Sequence, residues 1–267
     1  MSLHVEIRGH GPDLVLLHGW ALHGGVWGPW LDDLERVARL HIVDLPGHGM
    51  SAWREDIHGL GELARAVLEG VPAGSVVLGW SLGGMVALEL AHQYPGRLAA
   101  LVLVASTPKF VASEDWPHGM GRDVLDDFAQ ELARDHRRVV QNFLVLQTRG
   151  DERGLDTLRM LRRRLDSRGA PRLEALEAGL AILRDSDLRG ALPGITVPAL
   201  VIAGDHDRLT PPAAGRWMAD TLPSARFRAV AHSAHAPFLS HGARVLEEVR
   251  SFLASLAGNP PATGRVK

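Results

Sequence analysis

The sequence predicts an α/β fold in which a mostly parallel β-sheet has helices on both faces and is interrupted by an all-helical insertion. Short, continuous apolar stretches alternate with helix-compatible stretches over the first hundred residues, as is typical of parallel strands buried on both faces. From about residue 110 to 188 only helical periodicity is visible, and strand-like stretches then return. The 267 residues, of which 46% are hydrophobic, suffice for one large α/β domain.

Six stretches are predicted as strands, and a helix over 243–256 is expected to close the fold. The strands are 14–17, 40–43, 76–78, 100–104, 199–203 and 226–230. The chain is accordingly divided into a first part of the core (1–109), a helical cap (110–188), a second part of the core (189–257) and a flexible tail (258–267). An all-helical insertion is expected to cover the C-terminal edge of the sheet, where open α/β folds bind ligands.

Composition excludes several classes of site. The absence of cysteine excludes disulfides, thiolate metal sites and cysteine nucleophiles. Fourteen histidines form no H-E-x-x-H motif or tight ligand cluster, so neither a metal nor another cofactor is expected. A net charge of −2 gives no reason to expect nucleic-acid binding. Without a signal pattern or a membrane-spanning apolar run, we expect a cytoplasmic protein that does not bind membranes.

The segment 79–83 reads G-x-S-x-G, the pattern of a nucleophile elbow centred on Ser81. In such an elbow a strained strand-to-helix turn exposes the serine hydroxyl, and the glycines allow close backbone packing. The free N–H groups at the start of the following helix favour a developing oxyanion. The alternative is an ordinary turn in which Ser81 caps the helix. The apolar strand before it and the helical periodicity after it favour the nucleophile.

A serine nucleophile needs an acid and a base, and two candidates exist for each. Asp205 and Asp207 both follow the fifth predicted strand, and His232 and His235 both follow the sixth, with His241 further on. This order of serine, aspartate and histidine is the order of a hydrolase triad. Position along the chain does not choose within either pair. A purely structural alternative is that the aspartate caps the next helix and that His232 faces solvent.

Motifs along nearly the whole chain resemble the α/β-hydrolase superfamily: HGW at 18–20, DLPGHGMS at 44–51, GWSLGG at 79–84, GDHDRLTP at 204–211 and AHAPF at 234–238. More closely, the chain resembles the carboxylesterase family of biotin synthesis that hydrolyses the methyl ester of pimeloyl-[acyl-carrier protein]. The segments that carry this closer resemblance are LVLLHGWAL, HIVDLPGHG, LGWSLGG, LVLVASTPKF followed by DWP, FLVLQT and AHAPFLSH. The resemblance implies the α/β-hydrolase fold with a helical cap.

The resemblance also implies roles for individual residues. The family pattern G-x-x-D-x-x-x-P selects Asp207 as the acid, and A-H-A-P-F selects His235 as the base. The N–H groups of Trp20 and Leu82 would form the oxyanion hole. The implied substrate-binding residues are Trp20, Ser81, Leu82, Phe143, Leu144, Val145, Leu146, Gln147 and His235. The alternative for Phe143, Leu144 and Leu146, which lie in the cap, is that they only pack the cap on the core.

The cap is predicted to be strongly basic. Between residues 134 and 172 there are eleven arginines and only five acidic residues. Such a run is usually a solvated helical face. The resemblance implies a second use, docking of a small acidic acyl carrier protein through charge steering and arginine pairing.

Taken together, the motifs and the resemblance predict a monomeric serine carboxylesterase that acts on the acyl-carrier-bound pimeloyl methyl ester without a cofactor. One alternative within the same fold is a broader esterase, an enol-lactonase or a C–C hydrolase. An alternative from another class is a non-catalytic ligand-binding module.

Overall fold

A computed structural model describes residues 3–28, 30–165 and 167–257, so the predicted tail over 258–267 lies outside the described residues. One seven-stranded sheet runs through the core in the order β1-β3-β2-β4-β5-β6-β7. Its strands are β1 (Val5–Arg8), β2 (Asp13–Leu17), β3 (Arg39–Val43), β4 (Ser75–Trp80), β5 (Leu98–Val104), β6 (Ala199–Gly204) and β7 (Ala225–Val230). Strands β1 and β3 pair antiparallel, and all other neighbours pair parallel. The predicted mostly parallel sheet is confirmed.

Strand β1 was not predicted from the sequence. It is only four residues long, and its side chains are partly or largely exposed, with Ile7 53% accessible. An edge strand of this kind lacks the apolar run by which the inner strands β2 to β6 are recognised.

Helices cover both faces of the sheet and form the cap. They are α1 (Trp30–Leu34), α2 (Leu60–Leu68), α3 (Leu82–Gln93), α4 (Arg122–Thr148), α5 (Gly154–Leu165), α6 (Leu173–Asp185), α7 (Pro212–Thr221), α8 (Pro237–Ser240) and α9 (Gly242–Ala257). Helices α4 to α6 lie between β5 and β6 and build the cap, whose predicted boundaries at 110 and 188 stay predictions. Within the described ranges, no helix combines the length and apolarity needed to cross a membrane.

Helix α4 consists of two straight parts that meet at Asp135. This residue leaves the helical conformation (φ −153°, ψ 75°), and its side-chain oxygen accepts the N–H of Arg138 at 3.0 Å. An aspartate in this position caps the start of a new helix. Both parts bury apolar side chains, Leu125 and Leu132 before the break and Val139 after it.

The parallel register brings the ends of the central strands to one edge of the sheet. Gly79 at the end of β4 pairs with Leu17 of β2 and Leu103 of β5, while Gly204 ends β6 beside Val230 of β7. The loops that carry the predicted site residues therefore all leave the sheet at its C-terminal edge, as expected for a ligand site in an open α/β fold.

Candidate active site

The turn between β4 and α3 has the geometry of a strained elbow. Ser81 has φ 54° and ψ −117°, a region that residues with a side chain rarely occupy. A β-carbon built at Gly79 would lie 2.3 Å from the carbonyl oxygen of Gly83, and one built at Gly83 would lie 2.2 Å from that of Leu17. Only glycine fits at both positions. The two glycines thus allow the tight turn that holds Ser81 at its tip.

The end of β5 supports this elbow from the side. The N–H of Ser81 donates to the carbonyl oxygen of Val104 at 3.0 Å. The hydroxyl of Ser106 donates to the carbonyl oxygen of Ser81 at 2.9 Å and is buried. A β-carbon at Gly84 would lie 2.4 Å from that hydroxyl, so the third glycine of the motif makes room for Ser106. Sequence reasoning missed Ser106, whose only signal was its place just beyond a predicted strand.

Ser81, His235 and Asp207 form one unbroken chain of hydrogen bonds. The Oγ of Ser81 lies 2.9 Å from Nε2 of His235, and Nδ1 of His235 lies 2.8 Å from Oδ2 of Asp207. All three residues are buried, with at most 4% of any of them exposed. A proton on Nδ1 faces the carboxylate and leaves Nε2 as an acceptor for the serine proton. Of the paired candidates, His232 is exposed on the surface of the same loop.

The acid is held by the turn that carries it. Oδ1 of Asp207 accepts the N–H groups of Leu209 and Thr210 at 2.9 and 3.0 Å, and Oδ2 accepts the hydroxyl of Thr210 at 2.7 Å. These bonds fix the plane of the carboxylate and leave Oδ2 facing the imidazole. Asp205 instead has a side chain that is 37% exposed, with its carboxylate 3.9 Å from His206.

The backbone around His235 is held by the elbow and by the cap. The indole N–H of Trp80 donates to the carbonyl oxygen of His235 at 2.8 Å, and the N–H of His235 donates to the carbonyl oxygen of Gln147 at 3.1 Å. A β-carbon at Gly204 would lie 2.1 Å from the carbonyl oxygen of Ala234. The loop of the base therefore packs directly on the end of β6.

Two backbone N–H groups beside Ser81 are available to a bound oxygen. Within the described ranges, neither the N–H of Trp20 nor that of Leu82 has a protein acceptor. Leu82 is the first residue of α3, and the loop of Trp20 adjoins the serine, since a β-carbon at Gly19 would lie 3.3 Å from that of Ser81. Paired N–H donors of this kind suit the charge that develops on a carbonyl oxygen under attack.

His18 orients one of these two donors, a role that sequence reasoning did not assign. Its Nε2 accepts the N–H of Leu45 at 2.9 Å, so the proton resides on Nδ1, which lies 2.8 Å from the carbonyl oxygen of Gly19. That carbonyl belongs to the same peptide group as the N–H of Trp20. Burial, with repulsion from His48, lowers the pKa of His18 to about 3, so the ring stays neutral.

The five predicted substrate-binding residues of the cap, 143–147, do not all have buried side chains. Phe143, Leu144 and Gln147 are buried, Leu146 is half-buried, and Val145 is 45% exposed. A helix rotates by about 100° per residue, so five consecutive side chains cannot face one pocket. Phe143 and Gln147, one turn apart, share the buried side. Substrate contacts of the five residues stay predictions.

Trp20 connects the loop after β2 to the cap. Its indole N–H donates to the carbonyl oxygen of Leu176 in α6 at 3.0 Å, and its ring meets Phe143 edge-on with centroids 4.9 Å apart. The side-chain oxygen of Gln147 is buried and has no hydrogen-bond partner among the described residues. A buried amide oxygen without a partner is costly, so Gln147 is a candidate contact for a bound ligand.

The basic residues of the cap fall into two groups. Arg168 is only 18% exposed and pairs with the buried Asp44 and with Glu6 of the core. Ion pairs with nearby acids are also made by Arg138, Arg153, Arg159 and Arg172. The second group is exposed and makes no ion pair within the described residues; it includes Arg134, Arg137, Arg149 and Arg163. One of the five cap acids, Asp166, lies outside the described residues.

Comparisons with known proteins agree with this geometry. The profile of the alpha/beta hydrolase fold family matches residues 12–242. The pimeloyl-[acyl-carrier protein] methyl ester esterase of Xanthomonas campestris is 44% identical over 95% of this chain and 100% of its own length. The protein of that name from Nitrosomonas europaea is 46% identical over 90% of this chain and 94% of its own. An esterase from Exiguobacterium antarcticum superposes with a TM-score of 0.85, over 94% of this chain and 95% of its own; at 23% identity it shows the fold alone.

Proposed function

Since the chain belongs to the alpha/beta hydrolase family, we propose that it is a serine carboxylesterase that hydrolyses the methyl ester of pimeloyl-[acyl-carrier protein]. The observation that carries this proposal is the hydrogen-bond chain from Ser81 through His235 to Asp207 at a strained elbow. The choice of substrate is supported by relatives of that name, which are 44–46% identical over at least 90% of the chain. The products are methanol and the pimeloyl carrier protein, made without a cofactor.

Acylation begins when Nε2 of His235 accepts the proton of the Ser81 hydroxyl. Oγ attacks the ester carbonyl carbon, and the carbonyl oxygen becomes an oxyanion held by the N–H groups of Trp20 and Leu82. Asp207 stabilises the imidazolium that forms in this step. The preorganised donors supply stabilisation where the charge develops, and losing one such donor costs about 10²- to 10³-fold in kcat.

Acylation ends when the tetrahedral intermediate expels the methoxy group, which takes the proton from His235 and leaves as methanol. Deacylation then repeats these steps with water in place of the serine hydroxyl. Water then gives a proton to Nε2 and attacks the acyl-enzyme carbonyl. Collapse of this second intermediate returns the proton from His235 to Ser81 and releases the carboxylic acid, which loses its remaining proton to solvent, so the enzyme is regenerated.

The acyl chain of the substrate contacts the apolar underside of the cap in this proposal. Phe143 and Trp20 form a buried aromatic pair close to the elbow. Leu144, the next residue after Phe143, is fully buried. Apolar surface of this kind suits the methylene groups of a pimeloyl chain. The unpartnered amide oxygen of Gln147 suits a donor on the substrate, such as an amide N–H of the carrier's prosthetic arm.

The exposed arginines of the cap dock the acidic carrier protein in this proposal. The docking residues are Arg134, Arg137, Arg149 and Arg163. Arginine pairs well with carboxylates and phosphate, and charges within a Debye length, about 8 Å at physiological salt, steer a partner into place. We further propose that the enzyme acts as a monomer in the cytoplasm.

A comparison of two substrates tests the proposal. The fourfold alanine variant of the docking arginines should lower kcat/KM for the carrier-bound methyl ester by about tenfold at low salt, through slower association. Hydrolysis of p-nitrophenyl acetate should change less than about twofold, because a small ester does not touch that surface. The control with the same change in net charge removes four exposed arginines of the core: Arg36, Arg65, Arg226 and Arg244.

The wild-type advantage on the carrier-bound ester should shrink as salt is added. Ser81→Ala serves as the blank for both substrates. Equal kinetics of the two fourfold variants on the carrier-bound ester would contradict docking at the cap. Failure of the wild type to hydrolyse that ester, or to complement a strain lacking the biotin-pathway esterase, would contradict the proposed substrate.

A further inference from the structure

The loop between α4 and α5, residues 149–153, contacts the loops that carry both the acid and the base. The ring N–H of His206, in the acid loop, donates to the carbonyl oxygen of Gly150 at 2.8 Å. The N–H of Glu152 donates to the carbonyl oxygen of His232 in the base loop at 3.0 Å. This short segment of the cap is therefore bonded to two loops that leave different strands of the core.

Asp151 makes the contacts nearest to the base. Its Oδ2 accepts the N–H of Ala234 at 2.9 Å and lies 3.4 Å from the hydroxyl of Ser233, while its Oδ1 accepts the N–H of Arg153 at 2.8 Å. Ser233 and Ala234 are buried, and Ala234 directly precedes His235. A carboxylate from the cap is thus bonded to the peptide group between Ser233 and Ala234, one peptide group before the base.

The far end of the base loop is attached to the same segment. The guanidinium of Arg153 donates to the carbonyl oxygen of Ser240 at 2.9 Å, and Nε2 of His241 lies 3.1 Å from the carboxylate of Glu152. These outer contacts are more exposed, so water competes with them. Of the side-chain contacts from residues 149–153, that of the Asp151 carboxylate with the N–H of Ala234 therefore lies nearest to His235 along the chain and is the less exposed.

We propose that Asp151 is a positioning residue that holds the backbone before His235, so that the seating of the cap and the alignment of the base are coupled. The proposal rests on the proposed hydrolase function. A hydrogen bond to a carboxylate is stronger than one between neutral groups, and its loss would leave the buried N–H of Ala234 without an acceptor. The base loop would then relax, and small displacements of a catalytic group are costly, about 10²-fold for 1 Å.

Three single variants separate this role from a local one. Asp151→Ala removes the acceptor of Ala234, and Asp151→Asn keeps one oxygen for it without the charge. Asp156→Ala is the matched control, because it removes a cap carboxylate whose side chain is 75% exposed and, within the part of the chain that the structure describes, pairs only with Arg159 at 2.8 Å. Each variant is assayed with p-nitrophenyl acetate and by its rate of labelling with a fluorophosphonate.

We expect Asp151→Ala to lower kcat and the labelling rate by about tenfold or more, with KM within about twofold of the wild type. Asp151→Asn should recover most of this loss, and Asp156→Ala should match the wild type. The proton NMR signal of His235 Nδ1–H gives a readout without turnover, and it should shift or broaden in Asp151→Ala alone.

Two results would overturn the proposal. The first is a kcat of Asp151→Ala within twofold of that of Asp156→Ala together with an unchanged Nδ1–H signal. The second is an equal loss of kcat in Asp151→Ala and Asp151→Asn that is fully accounted for by reduced folding stability of both variants. A wild type that neither hydrolyses the ester nor reacts with the fluorophosphonate would instead contradict the hydrolase proposal, and the NMR signal would still test the positioning.

Discussion

Asp207→Asn is the substitution that best separates a catalytic triad from a merely structural hydrogen-bond chain. Oδ1 of Asp207 accepts two backbone N–H groups, those of Leu209 and Thr210, and Oδ2 faces Nδ1 of His235 at 2.8 Å. The substitution replaces one of these oxygens by an NH2 group with almost no change in shape. The remaining oxygen has to face the two backbone N–H groups, because an NH2 group there would oppose two donors.

The NH2 group then faces Nδ1, which forces the imidazole proton onto Nε2. In that tautomer Nε2–H points at Ser81 Oγ, 2.9 Å away, and cannot accept the serine proton. The hydroxyl of Thr210 is free to rotate and accept from the NH2 group, so no polar group is left unpaired. We therefore expect kcat to fall by about 10⁴-fold while the free energy of unfolding changes by less than about 1 kcal/mol.

The assay is hydrolysis of p-nitrophenyl acetate, with urea unfolding measured on the same preparations. Asp205→Asn is the matched control, because that carboxylate lies two residues away with a side chain that is 37% exposed. It should keep most of the activity. A residual kcat above a tenth of the wild-type value in Asp207→Asn, or an equal loss in Asp205→Asn, would refute the reasoning.

Two further predictions concern stability. Arg168→Ala leaves the fully buried carboxylate of Asp44 without its ion partner and should lower the free energy of unfolding by about 3 kcal/mol. Arg168→Lys should recover part of this loss. A loss below about 0.5 kcal/mol for Arg168→Ala in urea unfolding would contradict the prediction. Burial lowers the pKa of His18 to about 3 and that of His48 to about 4, so the unfolded chain binds protons that the folded protein excludes, and stability should fall as pH drops from about 6.5 toward 4. His48→Asn should flatten this dependence, because asparagine keeps a donor for the carbonyl oxygen of Pro46 but has no group that titrates in this pH range. The measurement is the urea midpoint as a function of pH. An unchanged slope would show that His48 is not responsible.

Much of the fold was predictable because the signals are local. A strand buried on both faces needs an apolar run, by which the inner strands β2 to β6 were recognised, whereas the half-exposed β1 was missed. The elbow was predictable for the same reason, since its sharp turn admits only glycine at positions 79 and 83. Family membership, now shown, followed from these short motifs.

The candidate site was only partly predictable. Sequence position left Asp205 and Asp207 equivalent, and only the family pattern chose between them. In the structure it is Asp207 that turns inward, because its carboxylate accepts the N–H groups of Leu209 and Thr210. The triad roles of Ser81, Asp207 and His235 stay predictions until the variants are measured.

The cap shows most clearly which side-chain contacts the sequence could not predict. Its positive charge was readable as a count of arginines, but Arg168 is turned into the core, where it pairs with Asp44 across 124 positions of sequence. The carboxylate of Asp151 gave no sequence signal either, because its partner, the N–H of Ala234, is a backbone group 83 positions away.

The sequence by itself determined six of the seven strands, the helical insertion, the elbow at Ser81 and the candidates for acid and base, because apolar periodicity and glycine requirements act over a few neighbouring residues. Only the tertiary structure decided which candidates meet and which cap side chains face inward. Ser81 and His235 are 154 positions apart, and their 2.9 Å contact depends on the register of the whole sheet and on the packing of the cap above it. Distances of that kind are set by the sum of many long-range contacts and have no local signature in the chain.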